Sequence, residues 1–210
     1  CLYLTITGTR GFLYDKGTAV DDWVYGHSDT AQHLAHFMMG YQLYNLAVCL
    51  GIAEYRTFEF LAHHVTTALL SWCVLAPYVH YYAFWYIGIA ELSSVPLALV
   101  DVGRYFPAVG QRFPAFNMAA RLLFALTFMV VRVGVWPCIS VLFWRSNLPY
   151  FLGGIGMEGY PAPRRMWVIV LFLVTNAGLT GLQFMWAGKL IKQAKRMLGG
   201  GGKKDAKKTK

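Results

Sequence analysis

Five long apolar runs decide what this chain can fold into. They extend over about Thr30–Ala53, Phe60–Ala76, Tyr82–Val102, Phe116–Phe143 and Met166–Ala187. A helix needs about 20 mostly apolar residues to cross a hydrocarbon core about 30 Å thick. Inside lipid no water can satisfy a stray N–H or C=O, so such runs read as helices that close their own hydrogen bonds. The expected fold class is all-α, a polytopic transmembrane helix bundle with five clear spans. Composition agrees: 14% of residues are charged, against about 25% in soluble domains. Pro137 lies near the far end of the fourth run and predicts a kink or an early exit there.

Charge is unevenly spread. The formal net charge of +9 comes almost wholly from residues 189–210, where nine Lys or Arg residues face Asp205 alone. Basic segments at membrane exits stay in the cytoplasm and attract anionic headgroups. The domain reading follows. Residues 1–28 are a non-cytoplasmic segment, residues 29–188 the transmembrane domain, and residues 189–210 a basic, disordered cytoplasmic tail. Cys1–Phe12 reads as the end of a truncated sixth span at the N-terminal side. The closing Lys-Lys-Thr-Lys resembles a dilysine retrieval signal and points to the endoplasmic reticulum. With no basic module apart from the tail, nucleic acid is not an expected partner. Cys1, Cys49, Cys73 and Cys138 lack metal-ligand spacing, and the last three read as small packing residues.

Polar residues inside membrane helices are costly and usually face a bundle interior or a wet cavity. Each run carries a stripe of them. The first has Gln42 and Asn45, and the second His63 and His64, with His64, Thr67 and Ser71 expected on one face. The third has Glu91 and Ser94, the fourth Arg121 and Arg132, and the fifth Asn176, Thr180 and Gln183. Pointed inward, these stripes surround a shared polar cavity. Glu91 and Arg132 are the opposite charges nearest one midplane and are expected to pair, since a lone charge there is expensive. Helix-to-helix bonding is the other reading of the Thr, Ser and Asn positions. For the adjacent histidines, which point about 100° apart, either one is open as the cavity-facing ring.

Four segments carry a family resemblance: "GYQLYN" (Gly40–Asn45), "EFLAHHVTT" (Glu59–Thr67), "AELSSVPLALVDVGRYF" (Ala90–Phe106) and "VVRVGVWP" (Val130–Pro137). In this order they resemble the TLC-domain family, which joins translocating-chain-associated proteins, ceramide synthases and other membrane proteins. The resemblance implies a TLC-like bundle of six or more helices around a lipid-accessible cavity open to the cytoplasm. In the ceramide-synthase branch the paired histidines are catalytic in acyl transfer from acyl-CoA to a sphingoid base. By that likeness His63 or His64 would be base or acyl acceptor; the inward stripes themselves make Asn45, Thr67, Ser71, Glu91, Arg132 and Asn176 the candidate substrate contacts. The chain departs from that branch where "GIAELSSVP" has Glu91 but lacks its further His-Asp pair and Asp. It looks closer to the branch linked to membrane lipid composition.

Three functions stay open on this reading. The leading one is an intramembrane cavity that binds or senses membrane lipid in lipid homeostasis. The others are an acyl-CoA-dependent N-acyltransferase of ceramide-synthase type and a non-enzymatic partner in membrane-protein insertion or chaperoning. No resident cofactor or metal is expected, acyl-CoA being a co-substrate of the second reading.

Overall fold

The computed structural model describes residues 1–15 and 23–199, with side chains as far as Lys195. Among these residues the regular structure is all helical. In chain order it comprises α1 (Leu2–Tyr14), α2 (Asp29–Gly51), α3 (Phe58–Val74), α4 (His80–Tyr105), the short α5 (Pro107–Arg112), α6 (Pro114–Gly154) and α7 (Met166–Gly199). The boundaries have local causes. Ser28 caps α2, its Oγ accepting the Ala31 N–H at 3.3 Å, and Asp29 adds a negative charge to the first turn. Thr57 caps α3 through the Phe60 N–H. Pro107 and Pro114 open α5 and α6, where a missing N–H breaks no helical bond. Before α4, Val79 sits at φ 52°, a left-handed conformation unusual for a β-branched residue. Its N–H donates to the Val24 carbonyl at 2.6 Å, which fixes it there.

Three helices are long and apolar enough to cross a membrane: His80–Tyr105, Pro114–Gly154 and Met166–Lys195. α2 has the length, at 23 residues, but carries Gln32, His33, His36, Gln42 and Asn45; α3 stops at 17 residues. Three of the five expected spans are therefore supported on length and composition. α2 and α3 form a hairpin, α6 and α7 pack side by side, and α4 lies among α1, α2 and α6. The core between them is aromatic and aliphatic, with Leu34, Met38, Tyr82, Phe84, Phe143 and Ile169 almost fully buried. α1 crosses α4 at a glycine pair. A Cβ on Gly8 would lie 2.4 Å from the Gly88 Cα, so the two backbones touch there.

Two boundaries differ from the sequence reading. α6 passes through Pro137 without an exit and continues beyond Phe143 to Gly154, across the start of the expected loop. The stretch Met129–Val135 ahead of the proline is π-wound, which absorbs the bond a proline removes. Further on, side chains cover α6 carbonyls: Asn147 Nδ2 donates to Phe143 O at 2.9 Å and Ser146 Oγ to Leu142 O at 3.0 Å. The tail expected to be disordered from residue 189 begins as helix, because α7 runs on to Gly199. The closing Lys-Lys-Thr-Lys lies outside the described residues.

At one end of the bundle, His80 closes the junction between α2, α3 and α4. Its Nδ1 accepts the Ser28 N–H at 2.9 Å while Nε2–H is shared between the Val74 and Ala76 carbonyls at 2.9 and 3.0 Å. At the other end, Arg104 meets Glu54 at 2.7 Å and Lys189 meets Glu59 at 3.3 Å.

Candidate functional site

The site forms where the helices depart from regular α-winding. α4 is π-wound over Phe84–Gly88 and then 3₁₀-wound over Ile89–Ser93, while α6 is π-wound over Met129–Val135. Glu91 and Arg132 sit within these stretches and pair as expected, Nη2 to Oε1 at 3.1 Å, with both side chains 9% exposed. Arg132 Nε also donates to Ser93 Oγ at 3.2 Å, and its guanidinium lies 5.6 Å from the centre of the Trp136 ring. The serine beside the pair is thus Ser93, whereas the sequence reading put Ser94 on the Glu91 stripe. The change of winding re-aims the side chains.

Around this pair lies a cavity of about 70 Å³. Its polar end is formed by Gln42, His63, Glu91 and Arg132, its middle by Thr67, Ser71, Tyr86 and Asn176, and its apolar end by Val74, Val79, Phe143 and Phe172. The structure separates the two histidines. His63 lines the cavity, and its ring meets Trp186 of α7 edge-on with centroids 5.4 Å apart. His64 turns toward α2, where its Nδ1 is 2.6 Å from Gln42 Oε1. The face shared with Thr67 and Ser71 is that of His63, not the His64 face expected from sequence, because the cavity follows the i, i+4, i+8 row.

The remaining expected site residues divide by what their hydrogen bonds leave free. Thr67 Oγ1 and Ser71 Oγ donate to carbonyls one turn back, those of His63 and Thr67, each at 2.8 Å. They can offer the cavity only lone pairs. Asn176 lines the cavity, but its amide is committed: Oδ1 accepts from Trp144 Nε1 at 3.0 Å, and Nδ2 donates to Tyr86 Oη at 3.1 Å and Ser140 Oγ at 3.3 Å. It ties α4, α6 and α7 together. Asn45 does not join the cavity. It is only half-buried, and three residues after Gln42 its side chain is turned about 60° away. Of the two stripe residues of α2, Gln42, 3% exposed, is the one that lines the cavity and meets His64.

Several contributors escaped the sequence reading. Tyr78, Tyr82 and Tyr86 repeat every four residues, and each bonds to α6, through Asn147, Ser146 with Leu142 O, and Ser140 respectively. Trp136, one turn after Arg132, donates to Thr180 Oγ1 at 2.9 Å. The spacing of four was the available signal in both cases. Cys138, read as a packing residue, is exposed on the outer face of α6, while Cys49 and Cys73 are buried.

A family model described as the TLC domain matches residues 1–192. No curated protein and no solved structure gives a significant match. The matched region takes in α1 and every residue of the cavity lining, the Glu91–Arg132 pair included. With a match over nearly the whole chain and helices apolar enough to cross a bilayer, the chain belongs to the TLC-domain family of membrane proteins.

Proposed function

We propose that this protein binds membrane lipid in the cavity between its helices and acts in membrane lipid homeostasis. The observation that carries the reading is the polarity gradient of the cavity: a buried Glu91–Arg132 pair and His63 at one end, Val79, Phe143 and Phe172 at the other. That gradient suits an amphiphile, with its head among the polar groups and its chain among the rings. A volume of about 70 Å³ holds only a few waters. A lipid therefore enters slender end first and displaces lining side chains, and the π- and 3₁₀-wound stretches beside the ion pair supply the give. α2 and α3 cross the membrane beside the three apolar helices on this reading, since Phe37, Leu43, Leu50, Val65 and Trp72 face outward.

The test is lipid retention. Wild-type protein purified in mild detergent is expected to carry a selected lipid by native mass spectrometry, and Glu91→Gln/Arg132→Met to lose most of it. A lipid profile equal to that of the bulk membrane, unchanged by the double substitution, sinks the reading.

Acyl transfer is the second reading, favoured by His63 lining the cavity. It predicts an acyl adduct on the peptide containing His63 after incubation with long-chain acyl-CoA, and none with His63→Ala.

A further inference from the structure

α7 places a fully buried amide beside the polar end of the cavity. Gln183 is 0% exposed, yet neither its Oε1 nor its Nε2 has a hydrogen-bond partner among the described residues. A side-chain amide offers two donors and an acceptor with two lone pairs, and leaving such groups unpaired in a buried site is expensive. His63 Nδ1 is in the same condition.

The helix register brings the two together. α3 and α7 run antiparallel, with Glu59 facing Lys189 and His63 facing Trp186. In that register Gln183 lies level with residues 65–66, between His63 and Thr67, which both line the cavity. Its direction follows from its own helix. Asn176 and Leu179, seven and four residues earlier, are cavity-lining, so Gln183 continues the same face one turn beyond the cavity wall.

The chemistry narrows the ligand. Arg132 is already paired with Glu91 and boxed by Ser93 and Trp136, so an ionised head would meet no free countercharge. An amide and an imidazole nitrogen together ask for a neutral group that donates and accepts at once. We infer that Gln183 and His63 form a head-group subsite for a neutral single-chain lipid bearing a hydroxyl or a primary amide. The chain of that lipid lies toward Val79 and Phe143. This inference rests on the lipid-binding reading and names its ligand class.

Three probes of equal chain length test it: hexadecanol, palmitamide and palmitate, each titrated into the detergent-solubilised full chain at neutral pH. Binding is read by native mass spectrometry and by ligand-induced shift of Tm. Hexadecanol and palmitamide are expected to bind about tenfold or more tightly than palmitate. Gln183→Met, close in shape but without hydrogen-bonding groups, is expected to erase that preference while its ligand-free Tm equals or exceeds wild type. His63→Phe, which keeps a ring, is the second variant and is expected to weaken the two neutral probes selectively. Equal binding of all three by wild type, or a preference unchanged in both variants, overturns the subsite and leaves the lipid-binding reading standing. Failure of wild type to bind any probe overturns both.

Discussion

At the scale of single residues, the buried charges carry the clearest consequence. Removing one member of a buried ion pair leaves the other uncompensated, at a cost of about 3–5 kcal/mol, while replacing both with apolar groups of similar volume is often neutral. Arg132→Met is therefore expected to destabilise strongly, because Glu91 stays buried with its partner gone. Glu91→Leu/Arg132→Met should return to within about 1 kcal/mol of wild type. Thermal unfolding of the wild type, both single variants and the double variant measures this directly. A double variant no better than the worse single one would mean that Ser93 and Trp136, not the charge balance, set the cost. The pair was legible in sequence because few charges occur at that depth and only these two are of opposite sign and near one level. Which histidine faces inward was not legible. Thr67 is i+4 from His63 and i+3 from His64, and both spacings share a helix face. Gln42 decides it, by holding His64 from α2.

At the scale of elements, the crossing of α1 over α4 tests how closely two backbones are held. The atoms nearest a Cβ on Gly8 are the Gly88 Cα at 2.4 Å and the Phe84 carbonyl oxygen at 2.9 Å. Backbone cannot swing aside as a flexible side chain can, so Gly8→Ala must push the helices apart. A cost of about 1–3 kcal/mol is expected. Gly40→Ala in α2 is the control, since nothing lies within 4 Å of its new Cβ, and it is expected to be neutral or slightly stabilising. The melting temperatures of the two variants should move apart; a similar loss in both would deny the close crossing. This contact joins residues 80 positions apart in sequence, and no local pattern marks it. The starts of α2, α3 and α6 fall within two residues of the expected runs, where Ser28, Thr57 and Pro114 are the local causes. The far end of α6 was misjudged, because the bonds that carry the helix past Phe143 come from its own Asn147 and Ser146 and are reinforced by Tyr78 and Tyr82.

At the scale of the whole molecule, the two ends of the bundle differ in chemistry. One end holds Arg56, Arg104, Arg112 and Lys189, together with Glu54 and Glu59, and α7 extends from it with Lys192 and Lys195. The other end holds Ser28, Asp29, His80 and Arg164, whose guanidinium lies 4.6 Å from the centre of the Tyr25 ring. Sequence could place bases along the chain; the pairs Glu54–Arg104 and Glu59–Lys189 bring the α2–α3 turn, the end of α4 and the Lys189 turn of α7 to one side. Excess Lys and Arg marks the cytoplasmic side of a membrane protein, so that end is expected to face the cytoplasm. At 41 residues, α6 is about 60 Å long, roughly twice the hydrocarbon core. It therefore tilts or projects, and hydrophobicity alone cannot say where its ends emerge. Single cysteines can. On a background with Cys1, Cys49, Cys73 and Cys138 replaced by Ala, Glu54→Cys and Lys192→Cys should react with an impermeant maleimide in sealed microsomes whose cytoplasmic face is outward. Glu158→Cys, in the exposed turn between α6 and α7, should react only after the membrane is opened. Labelling of Glu158→Cys in sealed vesicles with Glu54→Cys protected would invert the orientation. Equal labelling of all three would mean that the two ends of the bundle do not lie across a bilayer from each other, and the cavity would then have to be reached from water instead of lipid.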